Sequence, residues 1–354
     1  MKTPVIQKQD LLSTPVEPFD PTSVSSFSDL LERMSRTAFQ GRQLGEAFRV
    51  WKKMLASDCI ILMGLAGAMV PAGMRRLVVE MIRNRLIDCL VSTGANLFHD
   101  MHESLGYRHY KGSPDVDDTL LAQHMIDRMY DVYADEDEFR MHDRFLGEFA
   151  ASLDQSRPYT TREFLYLLGR RVSEIAREEG ILTAAAKAGV PVYCPALGDS
   201  SIGIGIAAHR HTHGNRLMFD IIGDVLETAY LANAGPTGVI YFGGGTPKNF
   251  IQQTEVTLLN MSEMAEGHKY AIQIVTDAPH WGGLSGCTFQ EAQSWGKIAA
   301  DAHMVTCHCD STIAMPILVT ALLEDRELIA RRRKPQFDVS GPKLTFQLPW
   351  DSRS

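Results

Sequence analysis

The chain has 354 residues, with 35 Lys and Arg against 43 Asp and Glu, a net charge of −8. That balance offers no basic face for nucleic-acid phosphates, and the most apolar stretch, residues 59–74, is too short and too broken by Gly and Pro to span a bilayer. With 45% hydrophobic residues, no basic start followed by an apolar run, and six cysteines (59, 89, 194, 287, 307, 309), it reads as a soluble cytoplasmic protein with a large core and reduced thiols.

In chain order, residues 1–26 carry several prolines and no helical period, and read as an N-terminal arm; residues 27–354 read as one domain. FSDLLERM and GEAFRVWKKMLAS are amphipathic helical segments. CIILMGL (59–65), MRRLVVEMIRNRL (74–86) and DCLVSTGAN (88–96) follow as strand, helix and strand, the pattern of a βαβ unit. Residues 97–160 are polar and acidic and read as a helical insertion. After a helix through TREFLYLLGRRVSEIAREEG, the run VPVYCPALGD (190–199) returns to strand. Helix and strand then alternate through MFDIIGDVLETAYLANA, GVIYFGGG, NFIQQTEVTLLNMSEM, YAIQIVTDAP, EAQSWGKIAADAH (291–303, helix), HMVTCHCDS and a last helix from Ile313. This is an α/β chain with a mostly parallel sheet flanked by helices on both faces.

Ligands of such sheets bind beyond the carboxyl ends of the strands. Those ends here carry GLAGAMVPAG, STGAN, PALGDSSIG, YFGGGTPKN, VTDAPHWGGLSG and CDST. Glycine, Ser/Thr and Asp recur at nearly every one. Glycines admit a phosphate close to the backbone and helix N-termini favour anions, so the edge suggests a dinucleotide site, although a strict G-x-G-x-x-G is absent.

SWGKI followed by Asp301, with CDSTIAMPIL behind it, resembles the catalytic segment of the deoxyhypusine synthase family. PALGDSSIG, YFGGGTPKN and TAFQGRQLGEA (37–47) resemble further family turns, in order, from about residue 37 to 323. The resemblance implies a Rossmann-like fold, NAD as cofactor, a homotetramer with active sites at subunit interfaces, and polyamine substrates. In the family reaction, NAD takes a hydride from spermidine, propane-1,3-diamine leaves, and the aminobutyl group passes through an enzyme lysine to an acceptor amine.

By position, Lys297 matches the imine-forming lysine, Trp295 the ring that stacks on the polyamine, and Glu291 a contact to a substrate ammonium. A nucleophilic lysine has to be neutral, which burial beside an apolar wall favours. Gly67, Ala68, Thr93, Gly94, Asp199, Thr276, Asp277, Asp310 and Ser311 match cofactor positions. The chain departs from the family pattern at His99, Ile204 and Leu284, where the family has acids, and at Asn249, where it has a histidine; His99 and Asn249 are therefore read as substrate-binding. Loss of those counter-charges disfavours spermidine and a protein lysine and points to the branch that makes homospermidine from small polyamines. The alternatives are a deoxyhypusine synthase acting on a translation-factor lysine and a non-catalytic NAD-binding paralogue; retention of Glu291, Trp295 and Lys297 favours an enzyme.

Two motifs receive plainer readings. HRHTH (209–213) would align three histidines if extended, but reads as a solvated loop without metal, and CHCD (307–310) as buried thiols. Of the histidines in HDMHE (99–103), His102 reads as structural.

Overall fold

Six apolar runs become the strands of one parallel sheet in the computed structural model, which describes residues 7–350. They are β1 (Ile60–Leu65), β2 (Cys89–Ser92), β3 (Val192–Tyr193), β4 (Thr237–Phe242), β5 (His268–Ile274) and β6 (Ile298–Cys307), in the spatial order β6-β5-β4-β1-β2-β3. Strands β1, β2 and β4 are buried along their whole length, which is why they read as largely apolar runs rather than as an alternation of apolar and polar residues. Alternate residues of β1 serve opposite faces. Ile61, Met63 and Leu65 join a core with Phe48 and Trp51 of helix α1 (Phe39–Ala56), whereas Ile60 and Leu62 join one with Tyr241, Ile251 and Phe289. The expected α/β architecture, with helices on both faces, is what the chain adopts.

Register places the functional edge. Cys307, Ile274, Phe242, Leu65 and Ser92 stand in one row across β6, β5, β4, β1 and β2. The turns that leave these strands therefore emerge side by side. The chain runs from β1 outward to β2 and β3, then returns to β4 on the other side of β1, so the direction of winding reverses between β1 and β4. Turns diverge at such a point and leave a crevice.

Three sequence readings need correction. The segment 291–303 is not one helix: a helix ends at Ser294 and β6 begins at Ile298. The region 97–160 is not wholly helical. It holds α2 (Gly94–Ser104) and α3 (Glu136–Ser152), but between them Tyr110–Lys111, Ile126–Met129 and Val132–Asp135 form a small antiparallel sheet. Acidic residues disguise these strands, whose side chains are exposed or half-buried apart from the buried Ala134. HRHTH is not a loop but the last turns of α4 (Ser201–His213), which stacks His209 on His213 with ring centroids 4.3 Å apart; residues two apart, such as His209 and His211, do not share a helix face. Of the arm, residues 1–6 lie outside the described residues; the remainder holds a short helix, Lys8–Leu11, and the Glu17 N–H donates to the Arg36 carbonyl. All six cysteines are free thiols. No described helix is long and apolar enough to cross a membrane.

Buried titratable groups act in two opposed sets. Burial, foremost, lowers His99 and His102 to about 3 and His142 and His268 to about 4. Burial also raises Asp100 and Asp143 to about 6, and Asp224 and Glu255 to about 7. The histidines, depressed from about 6.5, give stability that is present at neutral pH and lost as pH falls toward 3–4. The carboxyls, raised from about 4, give stability that is present in acid and lost as pH rises through 6–7. The two sets nearly cancel between about pH 5 and 7, so urea midpoints are expected to be level there and to decline below. Glu255→Gln removes one opposing group, and its midpoint should fall on acidification from pH 7 to 5. A profile parallel to the parent's would contradict this balance.

Candidate functional site

The crevice predicted at the winding reversal is present. A cavity of about 320 Å3 is lined by Ala66 and Gly67 after β1, Gly243–Gly245 after β4, Val275–Asp277 after β5, Cys309–Ser311 after β6, and Ser285. Gly67, Gly243 and Gly245 have φ of +77°, +78° and +57°, a conformation that side chains resist. Gly244 is held for a different reason: a Cβ there would lie 2.4 Å from the Ser285 Cα. Two helices present their N-termini at this edge, α5 (Gly245–Asn260) and α6 (Ser311–Glu324). Backbone N–H groups and a helix dipole at a glycine turn fit a diphosphate, and the carboxylates of Asp277 and Asp310 fit hydroxyl groups of a ribose.

Five of the nine expected cofactor residues, Gly67, Thr276, Asp277, Asp310 and Ser311, share that cavity. Asp310 also accepts the Thr312 N–H at 2.7 Å as the cap of α6. Ala68 is exposed beside Gly67. Thr93 and Gly94 adjoin them through Asn96, which the sequence reading passed over: its Nδ2 donates to the Gly67 carbonyl (2.8 Å) and to Thr93 Oγ1 (3.2 Å), and its Oδ1 accepts the Val70 N–H. Asp199 is exposed next to Ser200, whose Oγ would lie 2.2 Å from a Cβ at Gly94.

Glu291, Trp295 and Lys297 form a second group. Glu291 lies in the first turn of α7 (Phe289–Ser294), a helix capped by the Thr288 hydroxyl. The chain leaves α7 through a Schellman closure: the Lys297 N–H donates to the Ala292 carbonyl and the Gly296 N–H to that of Gln293. Gly296 has φ +71°, so glycine is required at this stop signal rather than tolerated inside a helix. The closure sets Lys297 Nζ 5.1 Å from the centre of the Trp295 ring. Lys297 is half-buried and Trp295 is 61% exposed, so the apolar wall expected around the lysine is open on one side within the single chain.

Asn249 is half-buried on α5, adjacent to Lys248. Lys248, which the sequence reading left without a role, is only 2% exposed; the G-G-G-x-x-K spacing at a strand-to-helix turn was the available signal. His99 is drawn into a different cluster. Its Nδ1 faces His109 Nε2 at 2.9 Å, His109 Nδ1 faces Glu103 Oε1 at 2.8 Å, and His102 lies 3.4 Å from His142, nitrogen to nitrogen. Its ring contacts are Phe98, His109 and Phe139, none of them on α7 or the Lys297 turn.

Comparison with known proteins identifies the family of the chain. The sequence model of the family "Deoxyhypusine synthase" matches residues 29–322. A protein of Methanosarcina mazei named "Probable deoxyhypusine synthase 2" is 50% identical over 334 residues, spanning 94% of this chain and 96% of its own length. One of Archaeoglobus fulgidus with the same name is 50% identical over 307 residues, 86% of this chain and 99% of its own. A "Deoxyhypusine synthase-like protein" of Elusimicrobium minutum is 37% identical over 310 residues, 86% and 82% of the two chains. Among solved structures, an Entamoeba histolytica protein crystallised as a candidate deoxyhypusine synthase matches with a TM-score of 0.60 at 18% identity, over 88% of this chain and 97% of that one, a likeness of fold. The chain belongs to the deoxyhypusine synthase family.

Proposed function

We propose that this chain is an NAD-dependent aminoalkyl transferase of polyamine metabolism that works through an imine on Lys297 and delivers its group to a small amine, with homospermidine or a related polyamine as product. The observation that carries the reading is the Lys297 amine held over the Trp295 ring by the closure at Gly296, one short helix away from Glu291.

NAD would be held by Gly67, Ala68, Gly243–Gly245, Thr276, Asp277, Asp310 and Ser311, with Thr93, Gly94 and Asp199 continuing the same edge, and when bound it supplies a hydride acceptor and donor. The rest falls to the chain's own residues. The indole of Trp295 orients the methylene chain of the amine, while the carboxylate of Glu291 pairs with its ammonium. Lys297 Nζ, as the free amine, attacks the imine carbon of the oxidised donor and expels the departing diamine, which takes up the proton Lys297 loses. The acceptor amine then attacks the Lys297 imine, and the lysine leaves as the free amine. Each step moves one C–N bond and no net electrons. The open side of Trp295 and Lys297 fits closure by a neighbouring subunit of a homotetramer, in the cytoplasm. Asn249 offers a hydrogen bond to a substrate amine in place of a charge, whereas His99, neutral through burial and paired with His109, belongs to the separate histidine cluster.

The acceptor is tested with purified protein, NAD, and putrescine, spermidine, agmatine and the translation factor in separate and mixed incubations, read by mass spectrometry. A small polyamine product is expected. Labelling of the translation factor with no small product would favour the second reading, a deoxyhypusine synthase, which the names of the 50% identical relatives support. No product from any mixture would favour a non-catalytic paralogue.

A further inference from the structure

Lys248 stands on the first turn of α5 with its ammonium buried and bonded to neutral groups. Nζ donates to Gln273 Oε1 at 2.9 Å, to the Cys287 carbonyl at 2.6 Å and to the Ser285 carbonyl at 3.5 Å. Among the described residues no carboxylate lies within salt-bridge distance of it. Burial pulls it down to about 8, opposed by Cys287, Glu291 and Asp277 and assisted by the like charge of Lys297. A buried charge without a counter-ion is costly, and an apolar side chain of similar length would avoid that cost. A lysine here therefore calls for an explanation beyond packing.

The bonds supply one. Ser285 and Cys287 lie just before Thr288, the cap of α7, so the ammonium grips the segment that delivers Glu291, Trp295 and Lys297. Gln273 completes the grip: its Nε2 donates to the Ser285 carbonyl (2.7 Å) and to the Gly243 carbonyl (3.1 Å). Ser285 Oγ accepts the Gly245 N–H at 3.0 Å. One cluster thus fastens the glycine turn of the cofactor cavity to the approach of the lysine turn.

We infer that Lys248 is a positioning residue for the transfer reaction, fixing the Lys297 turn against the glycine turn of the cofactor cavity. The inference rests on the proposed function for its reaction, but its first test does not require turnover. The full-length protein is labelled with trace acetic anhydride at neutral pH, and modification of Lys297 is followed by peptide mass spectrometry. In Lys248→Met, loss of the grip should free the Lys297 turn and raise its labelling by about threefold or more. Gln273→Ala weakens the same grip while leaving Lys248 in place, and it should lower the kcat for aminoalkyl transfer by about tenfold or more.

A folded Lys248→Met protein, checked by its thermal melt, whose Lys297 labels as in the parent would overturn the inference. If Lys248→Met does not fold, Gln273→Ala decides it, and parental kcat there would equally overturn it. Should the parent form no product with any amine, the proposed function fails, and the labelling shift still decides whether Lys248 governs Lys297.

Discussion

Replacing Asp88 by alanine is expected to destabilise the protein by about 3–5 kcal/mol, enough to leave much of the chain unfolded at 37 °C. Asp88 is fully buried at the start of β2. It accepts the Ile61 N–H of β1 at 2.9 Å, Arg85 Nη2 at 2.9 Å and Arg332 Nη1 at 3.1 Å, with a further bond from Arg332 Nη2. Both arginines are themselves buried, and Arg332 also donates to the Arg85 carbonyl. Their alternative acceptors are backbone carbonyls, so removal of the one carboxylate leaves two buried cations without a counter-charge. Urea denaturation of Asp88→Ala beside the parent measures the cost; a loss below about 1 kcal/mol would mean that water or local rearrangement solvates the two guanidinium groups.

The second large effect concerns chemistry rather than folding. Lys297→Ala is expected to lower aminoalkyl transfer by about 10³-fold or more, because the covalent route disappears. Lys297→Arg should be equally inactive, since a guanidinium stays protonated and forms no imine. Stability should change by no more than about 0.5 kcal/mol in Lys297→Ala, because among the described residues the half-buried side chain has no hydrogen bond or ion pair beside its contact over Trp295. Steady-state kinetics on both variants, with thermal melts as controls, check the pair of expectations; transfer at parental rate in Lys297→Ala would remove the lysine from the mechanism.

Much of the fold was legible because its strands are short, apolar and bounded by glycine turns. The β1 run ends at Gly67, and β4 leads straight into Gly243–Gly245. The segment around Lys297 was not legible in the same way. Glu291, Ala292, Gln293, Ala299 and Ala300 favour helix, and only the Schellman closure at Gly296 shows that the chain turns there. The first half of β6 also lacks the usual strand signal. Its pairing with β5 slips between Ile298 and His303, leaving Ala300 and Asp301 exposed. The role of Lys248 was hidden for a different reason. A lysine at a glycine turn reads as a solvated or ligand-facing group, and its burial comes from Ser285 and Cys287, nearly forty residues away. The histidine cluster is hidden likewise, since His102 of α2 and His142 of α3 meet although they stand 40 residues apart in the chain, with a small sheet whose acidic strands resemble helix between them.

The central claim is that Lys297 carries the transferred group. The direct measurement is borohydride reduction of the purified protein during incubation with NAD and a polyamine donor, followed by peptide mass spectrometry. The account predicts an added aminoalkyl mass on the peptide containing Trp295 and Lys297, absent without NAD and absent from Lys297→Ala. An adduct on another lysine, or product formation with no trapped lysine at all, would contradict it.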